Sequence, residues 1–242
     1  MIESLLLTSA QVFTYLGDHP LTNASGFYFA RGERLFLVTS RHVVHDAPSA
    51  HLPDRLEIVM HGDPENIAHS LRFSIPLYRG GRSLWRQGRD GAGGIDVAAI
   101  ELERDALPAN AVYRAFGPGH LDDPALPVDI GSAALIVGFP LGFSDTLHHL
   151  PVVRQAVVAS SFGLRFQGQG YFLTDARTHR GASGAAVVLR DTVPNPAHGD
   201  LAWTLLGIHS SRLDMGSREL DADEALGLNC TWYSDILLTL TD

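Results

Sequence analysis

TDARTHRGASGAAVV, residues 174–188, runs from a polar approach through a glycine-bracketed serine into an apolar stretch. Gly181 and Gly184 enclose Ala182 and Ser183 in the spacing G-x-S-G. A nucleophilic serine needs its hydroxyl clear of any strand ladder, with backbone N–H groups converging where an oxyanion develops. A glycine two residues before the serine lets its own amide turn into that position without a Cβ in the way. Taken alone, the same letters fit any tight Gly/Ser turn. The rest of the chain has to decide.

Two other stretches carry weight. In LFLVTSRHVVHD, 35–46, an apolar run ends and His42 follows where a strand would meet a turn, a rigid edge from which an imidazole can project into a cleft. An ordinary strand-end histidine fits too, and with twelve histidines in the chain a single one means little. HVVH also imitates a two-ligand metal spacing, but no third ligand stands near it, and no metal or other cofactor is expected. In GAGGIDVAAIEL, 91–102, Asp96 is the one acid at the mouth of an apolar strand. A partly buried carboxylate there needs donors, and an imidazole N–H is one. By itself the segment reads as well with a strand-capping aspartate.

Around these lie short apolar or alternating runs punctuated by Gly, Pro, Asn and Asp: GFYFA (26–30), RLEIVM (55–60), LRFSIPL (71–77), AALIVGF (133–139), RQAVVAS (154–160), GYFLTD (170–175), WTLLGIHS (203–210) and GLNCTWY (227–233). Runs of this length, rich in Val, Ile, Phe and Tyr, predict an all-β protein of the sandwich or barrel type. The least strand-like part, 103–129, divides them into two sets. The expected organisation is a first β-half over 1–105, a connector over 106–127 and a second β-half over 128–242. Ser234 before DILLTL predicts an N-cap and a short terminal helix.

Composition narrows the class. With 45% apolar and 19% charged residues the chain is globular rather than disordered or fibrous. A net charge of −9 with no basic cluster argues against a nucleic-acid partner. Cys230 is the only cysteine, so no intrachain disulfide or four-cysteine zinc site can form. The start, MIESLLLTSAQ, makes a poor secretory signal, and AALIVGFPLGF at 133–143 is about half a bilayer span. A cytoplasmic chain with no membrane association is the expectation, with a periplasmic or secreted one as the alternative where a leader has been removed.

The order His42, Asp96, Ser183 is that of chymotrypsin-type triads, with the first two in one β-half and the serine in the other. Here the chain resembles the trypsin-like serine proteases, and within them the disulfide-free bacterial branch that includes the high-temperature-requirement proteases. LVTSRHVV is similar to that branch's hydrophobic-x-T-x-x-H-V-V segment, IDVAAIEL to its D-L-A-V-L-K strand, and VGFPLG (137–142) to its G-x-P-x-G turn. TDARTHRGASGAAV parallels T-D-A-x-I-N-x-G-N-S-G-G without a gap. The resemblance implies two packed six-stranded Greek-key β-barrels with the site in the groove between them. It implies Ser183 as nucleophile, His42 as general base and then acid, Asp96 as the group orienting the imidazole, and the Gly181 and Ser183 amides as the oxyanion hole.

There are departures. Ala182 stands where Asp or Asn is usual before the serine, which argues against activation by a newly cleaved N-terminus. Ala185 replaces a glycine. After Ser234 too few residues remain for a PDZ domain. Thr178, five residues before Ser183, together with His209 resembles the pocket of glutamate-specific endopeptidases, with Arg177 as an added cation. The expected substrate is therefore a protein or peptide cut after Glu, Gln or Asp. The competing expectations are a protease-fold scaffold without turnover, or an enzyme held inactive until a regulatory protein partner acts. The stretch 80–94, read as a loop able to cover the site, keeps them open.

Overall fold

Two apolar faces on one strand explain the unbroken runs. In β3 (Arg34–Thr39) Leu35 and Leu37 enter a core inside the first β-half, whereas Phe36 and Val38 enter a second core shared with the other half. The same alternation splits Ala98 and Ile100 from Val97 and Ala99 on β9 (Gly93–Leu102). Successive side chains point to opposite faces, so a strand covered on both sides reads as continuously apolar rather than alternating.

The computed structural model describes residues 2–121, 127–192, 195–212 and 227–242. The first half carries β1 (Ser9–Leu16), β2 (His19–Arg31), β3, the single turn α1 (Arg41–Val44), β4 (Arg55–His61), β5 (Ser70–Pro76), the short β6 (Tyr78–Arg79) and β7 (Arg82–Ser83), β8 (Trp85–Asp90) and β9. The second carries β10 (Ala133–Gly138), β11 (Val152–Val158), β12 (Tyr171–Asp175), β13 (Ala186–Arg190), β14 (Trp203–Arg212), β15 (Leu228–Tyr233) and the short α2 (Ile236–Leu240). All long pairings are antiparallel, and β10-β11-β12-β15-β14-β13 closes into a six-stranded barrel. The first half is a seven-stranded sheet in the order β5-β4-β1-β2-β3-β9-β8. Its extra strand is β8, part of the stretch expected to be a loop. RSLWRQGRD lacks an apolar alternation because β8 lies at the sheet edge, where it pairs with β9 across a bulge between Gln87 and Arg89.

The largest core lies between the halves. Phe27, Phe29, Phe36, Val97 and Phe116 from one side meet Val137, Leu173, Val188, Leu205 and Ile208 from the other. Phe116, in the connector, is fully buried there, its carbonyl accepting Ala30 N–H at 2.7 Å and its amide donating to Tyr28 at 3.0 Å. Burying rings of this size supplies much of the apolar stabilisation, about 25 cal/mol per Å² removed from water. The halves are thus held as one body, with the strand ends that carry the candidate residues facing each other. The terminal helix is present, but its cap position falls to Asp235, with no side-chain cap bond. Ser234 instead bonds through its backbone amide to Leu206. Among the described residues no helix is long and apolar enough to cross a membrane.

Candidate active site

Ser40 is extended (φ −71°, ψ 144°) after β3, and the chain then makes the one helical turn that carries His42. Asp96 sits near the start of β9, beside β3. Its carboxylate takes two bonds from one residue: the His42 amide at Oδ1, 2.8 Å, and His42 Nδ1 at Oδ2, 2.7 Å. The Ser210 hydroxyl, reaching over from β14 in the other half, also donates to Oδ2, and Arg41 Nε lies 3.9 Å from Oδ1. Three donors and a nearby cation fix the carboxylate, and it fixes the ring with its proton on Nδ1. Burial works to raise the Asp96 carboxyl, but the His42 ring and charge, the Ser210 hydroxyl and the His42 amide together hold it below the usual carboxylate value.

The serine turn is pinned to the first half at the opposite wall. Ser25 on β2 donates its amide to the Ser183 carbonyl at 2.9 Å. Its hydroxyl donates to the Gly181 carbonyl at 2.7 Å and accepts the Phe139 amide at 2.8 Å. Thr39 Oγ1 donates to Ser25 O at 2.8 Å, and the Gly184 amide donates to His209 O at 2.8 Å. Ser40 Oγ reaches the same His209 carbonyl at 3.3 Å. The residues just before His42 therefore meet the residues just after Ser183, which sets the His42 turn beside the serine turn. Among the described residues Ser183 Oγ makes no hydrogen bond. Unliganded sites often leave this link long.

The two amides expected to bind an oxyanion are kept out of the turn's own hydrogen bonds by their neighbours. A trans peptide points its C=O and N–H in opposite directions. The Arg180 carbonyl accepts Leu141 N–H at 2.5 Å, so the Gly181 N–H points away from that contact. The Ala182 carbonyl accepts Ala185 N–H at 2.9 Å, so the Ser183 N–H likewise points away. Among the described residues neither amide donates to any group, while those of Ala182 and Gly184 do. Gly181 holds φ +90°, a left-handed conformation suited to glycine. Backbone donors left free beside a serine can stabilise charge on a tetrahedral oxygen.

Upstream of the turn, Thr178 and Arg177 part company. Thr178 is buried, and its hydroxyl donates to Asn229 Oδ1 on β15 at 2.5 Å, whereas the Arg177 side chain is exposed. His209 is buried on β14, its main chain laddered to Ala185 and Gly184 of the serine segment. The structure thus sets Thr178 and His209 on elements that meet the serine turn, and puts the Arg177 charge towards solvent. Sequence reasoning missed Ser25, Ser210 and Asn229. Ser210 directly follows His209 in GIHSS, and Ser25 precedes the obligate glycine of SGF, but a serine or asparagine inside a strand pattern carries no chemical signal of its own.

A family model described as a trypsin-like peptidase domain matches residues 24–193. The chain belongs to the trypsin-like peptidase family. Among solved structures this peptidase chain is similar to the serine endoprotease from Yersinia pestis, at 15% identity and a TM-score of 0.57, covering 98% of this chain and 62% of that one. It is also similar to the active form of the Rv3671c protease from M. tuberculosis, at 13% identity and a TM-score of 0.51, covering 97% of this chain and 79% of that one. At these identities the likeness speaks for the fold. The peptidase chain spans less than two thirds of the Yersinia protein's length. No curated protein sequence matches it.

Proposed function

We propose that the chain is a serine endopeptidase working by acyl transfer, with a polar primary pocket that prefers Glu, Gln or Asp at P1, the residue whose carbonyl is attacked. The observation that carries this is the pairing of an anchored Asp96–His42 dyad with two unbonded amides at Gly181 and Ser183. His42 Nε2 takes the Ser183 proton as Oγ attacks, the two amides bind the oxyanion, and the imidazolium returns the proton to the leaving amine. Asp96 steadies the imidazolium throughout. Thr178 and His209 are the pocket residues of this reading, with a protein or peptide as substrate.

A fluorophosphonate probe tests it. Wild type is expected to label at one serine, and Ser183→Ala not at all. Wild type that stays unlabelled sinks the reading in favour of a chain that awaits a regulatory partner, a state to which the unbonded Ser183 hydroxyl also lends support.

Ser210→Ala is expected to lower kcat/KM roughly tenfold, because a hydrogen bond to a charged group contributes about 1.5–3 kcal/mol and only part of it acts through His42. Ser210→Thr should restore most of that loss. Equal activity in all three proteins, measured on one peptide, would remove Ser210 from the orienting set.

A further inference from the structure

The Thr178 hydroxyl has a single proton, and the fold has already committed it. Asn229 is fully buried on β15. Its Nδ2 faces three backbone carbonyls, those of Ala176 and Gly227 at 2.9 Å each and of Thr174 at 3.3 Å. Turning this amide over would set its oxygen against three oxygens, so the orientation is fixed by the network. Asn229 Oδ1 therefore faces Thr178 Oγ1 as an acceptor, 2.5 Å away, and Thr178 has to donate. What the hydroxyl has left for any other group is lone pairs.

We propose that the primary pocket selects a carboxamide over a carboxylate, cutting after glutamine and rejecting glutamate. This rests on the reading of the chain as a serine endopeptidase with Thr178 in its primary pocket, and narrows the acidic-or-amide preference given there. A glutamate side chain reaching Thr178 Oγ1 places oxygen against oxygen with no proton between them, having given up its water. A glutamine reaching the same point donates an amide hydrogen to the waiting lone pair. The cation next to Thr178 in the chain does not reverse the balance, because the Arg177 side chain is exposed. A site whose polar groups are fixed in one sense discriminates more strongly than one that adapts by rotating a hydroxyl.

The test uses three peptides identical except at P1: glutamine, glutamate, and the γ-methyl ester of glutamate, which is neutral but has no donor. The expected kcat/KM for glutamine exceeds both others by about tenfold or more. Thr178→Val is expected to bring glutamine and the ester to within about threefold of each other, while Thr178→Ser keeps the preference. If the valine variant does not fold, the wild-type series and the serine variant still decide. An ester cleaved as well as glutamine means the pocket reads charge alone, which overturns the inference. So does glutamate cleaved as well as glutamine, or a preference for Leu or Lys at P1 in an enzyme whose Ser183 still takes the fluorophosphonate. Wild type that neither labels nor cleaves any of the peptides overturns the endopeptidase reading itself, and the inference with it.

Discussion

Ser183→Ala is expected to lower kcat on a good peptide by about 10⁶, Asp96→Asn by about 10⁴, and the double variant by no more than Ser183→Ala alone. The three effects share one cause, so they cannot add. On the proposed mechanism Asp96 Oδ2 holds the proton of the His42 ring on Nδ1, 2.7 Å away, which leaves Nε2 as the base. An asparagine there can turn its NH₂ towards Nδ1, which moves the ring proton to Nε2 and leaves nothing to take the Ser183 proton. Once Ser183 is gone the tautomer no longer matters. The Gly181 and Ser183 amides stay in place, so roughly 10³–10⁴ of rate over water should survive in every variant. Steady-state kcat for the three proteins on one peptide checks this. A double variant clearly below Ser183→Ala would mean that Asp96 does something beyond orienting His42.

The carboxylate's depressed pKa fixes how pH enters. An acid held lower in the folded chain than in the unfolded one adds stability above its ordinary range, near 3.9 for aspartate, and that contribution is lost as pH falls through the lowered folded value. Asp96 thus stays ionised through the neutral and weakly acidic range. Loss of kcat/KM anywhere in that range belongs to other groups.

The strands, and the pairing of His42 with Asp96, could be read from the chain because each obeys a local rule. Val, Ile and Phe runs bounded by turn residues mark the strands, and a histidine at a strand end, an acid at a strand mouth and a bracketed serine mark the groove. What could not be read depends on pairing across distance. β8 is polar and looks like a loop until β9 supplies its partner. Ser25 and Ser210 are plain strand serines until the two halves meet, which brings Gly181 O to one and Asp96 to the other from across the groove. Asn229 likewise acquires meaning only when three carbonyls converge on its amide. Arg177 and Thr178 are equal in the sequence and are separated by burial, the first exposed and the second enclosed against Asn229.

Gly184→Ala is expected to cost on the order of 3–5 kcal/mol, a fall in Tm of about 10 °C. Gly184 holds φ +86°, and a Cβ there would lie 2.2 Å from Ser25 O, 2.3 Å from Thr39 Oγ1 and 2.9 Å from Thr39 Cα. The left-handed conformation alone costs an alanine about 1–2 kcal/mol. The larger part is steric, because two of the three atoms are backbone and the third is a hydroxyl already bonded to Ser25 O at 2.8 Å. Relief requires β2 and β3 to move off the serine turn, which stretches the Ser25–Ser183 bond and opens the seam between the halves. Gly32→Ala separates the two parts. Gly32 has φ +58°, and a Cβ added there would meet nothing within 4 Å, so this variant should show only the conformational cost. Thermal unfolding of both variants is the measurement, and equal losses would mean that the seam yields to the extra methyl group at no cost.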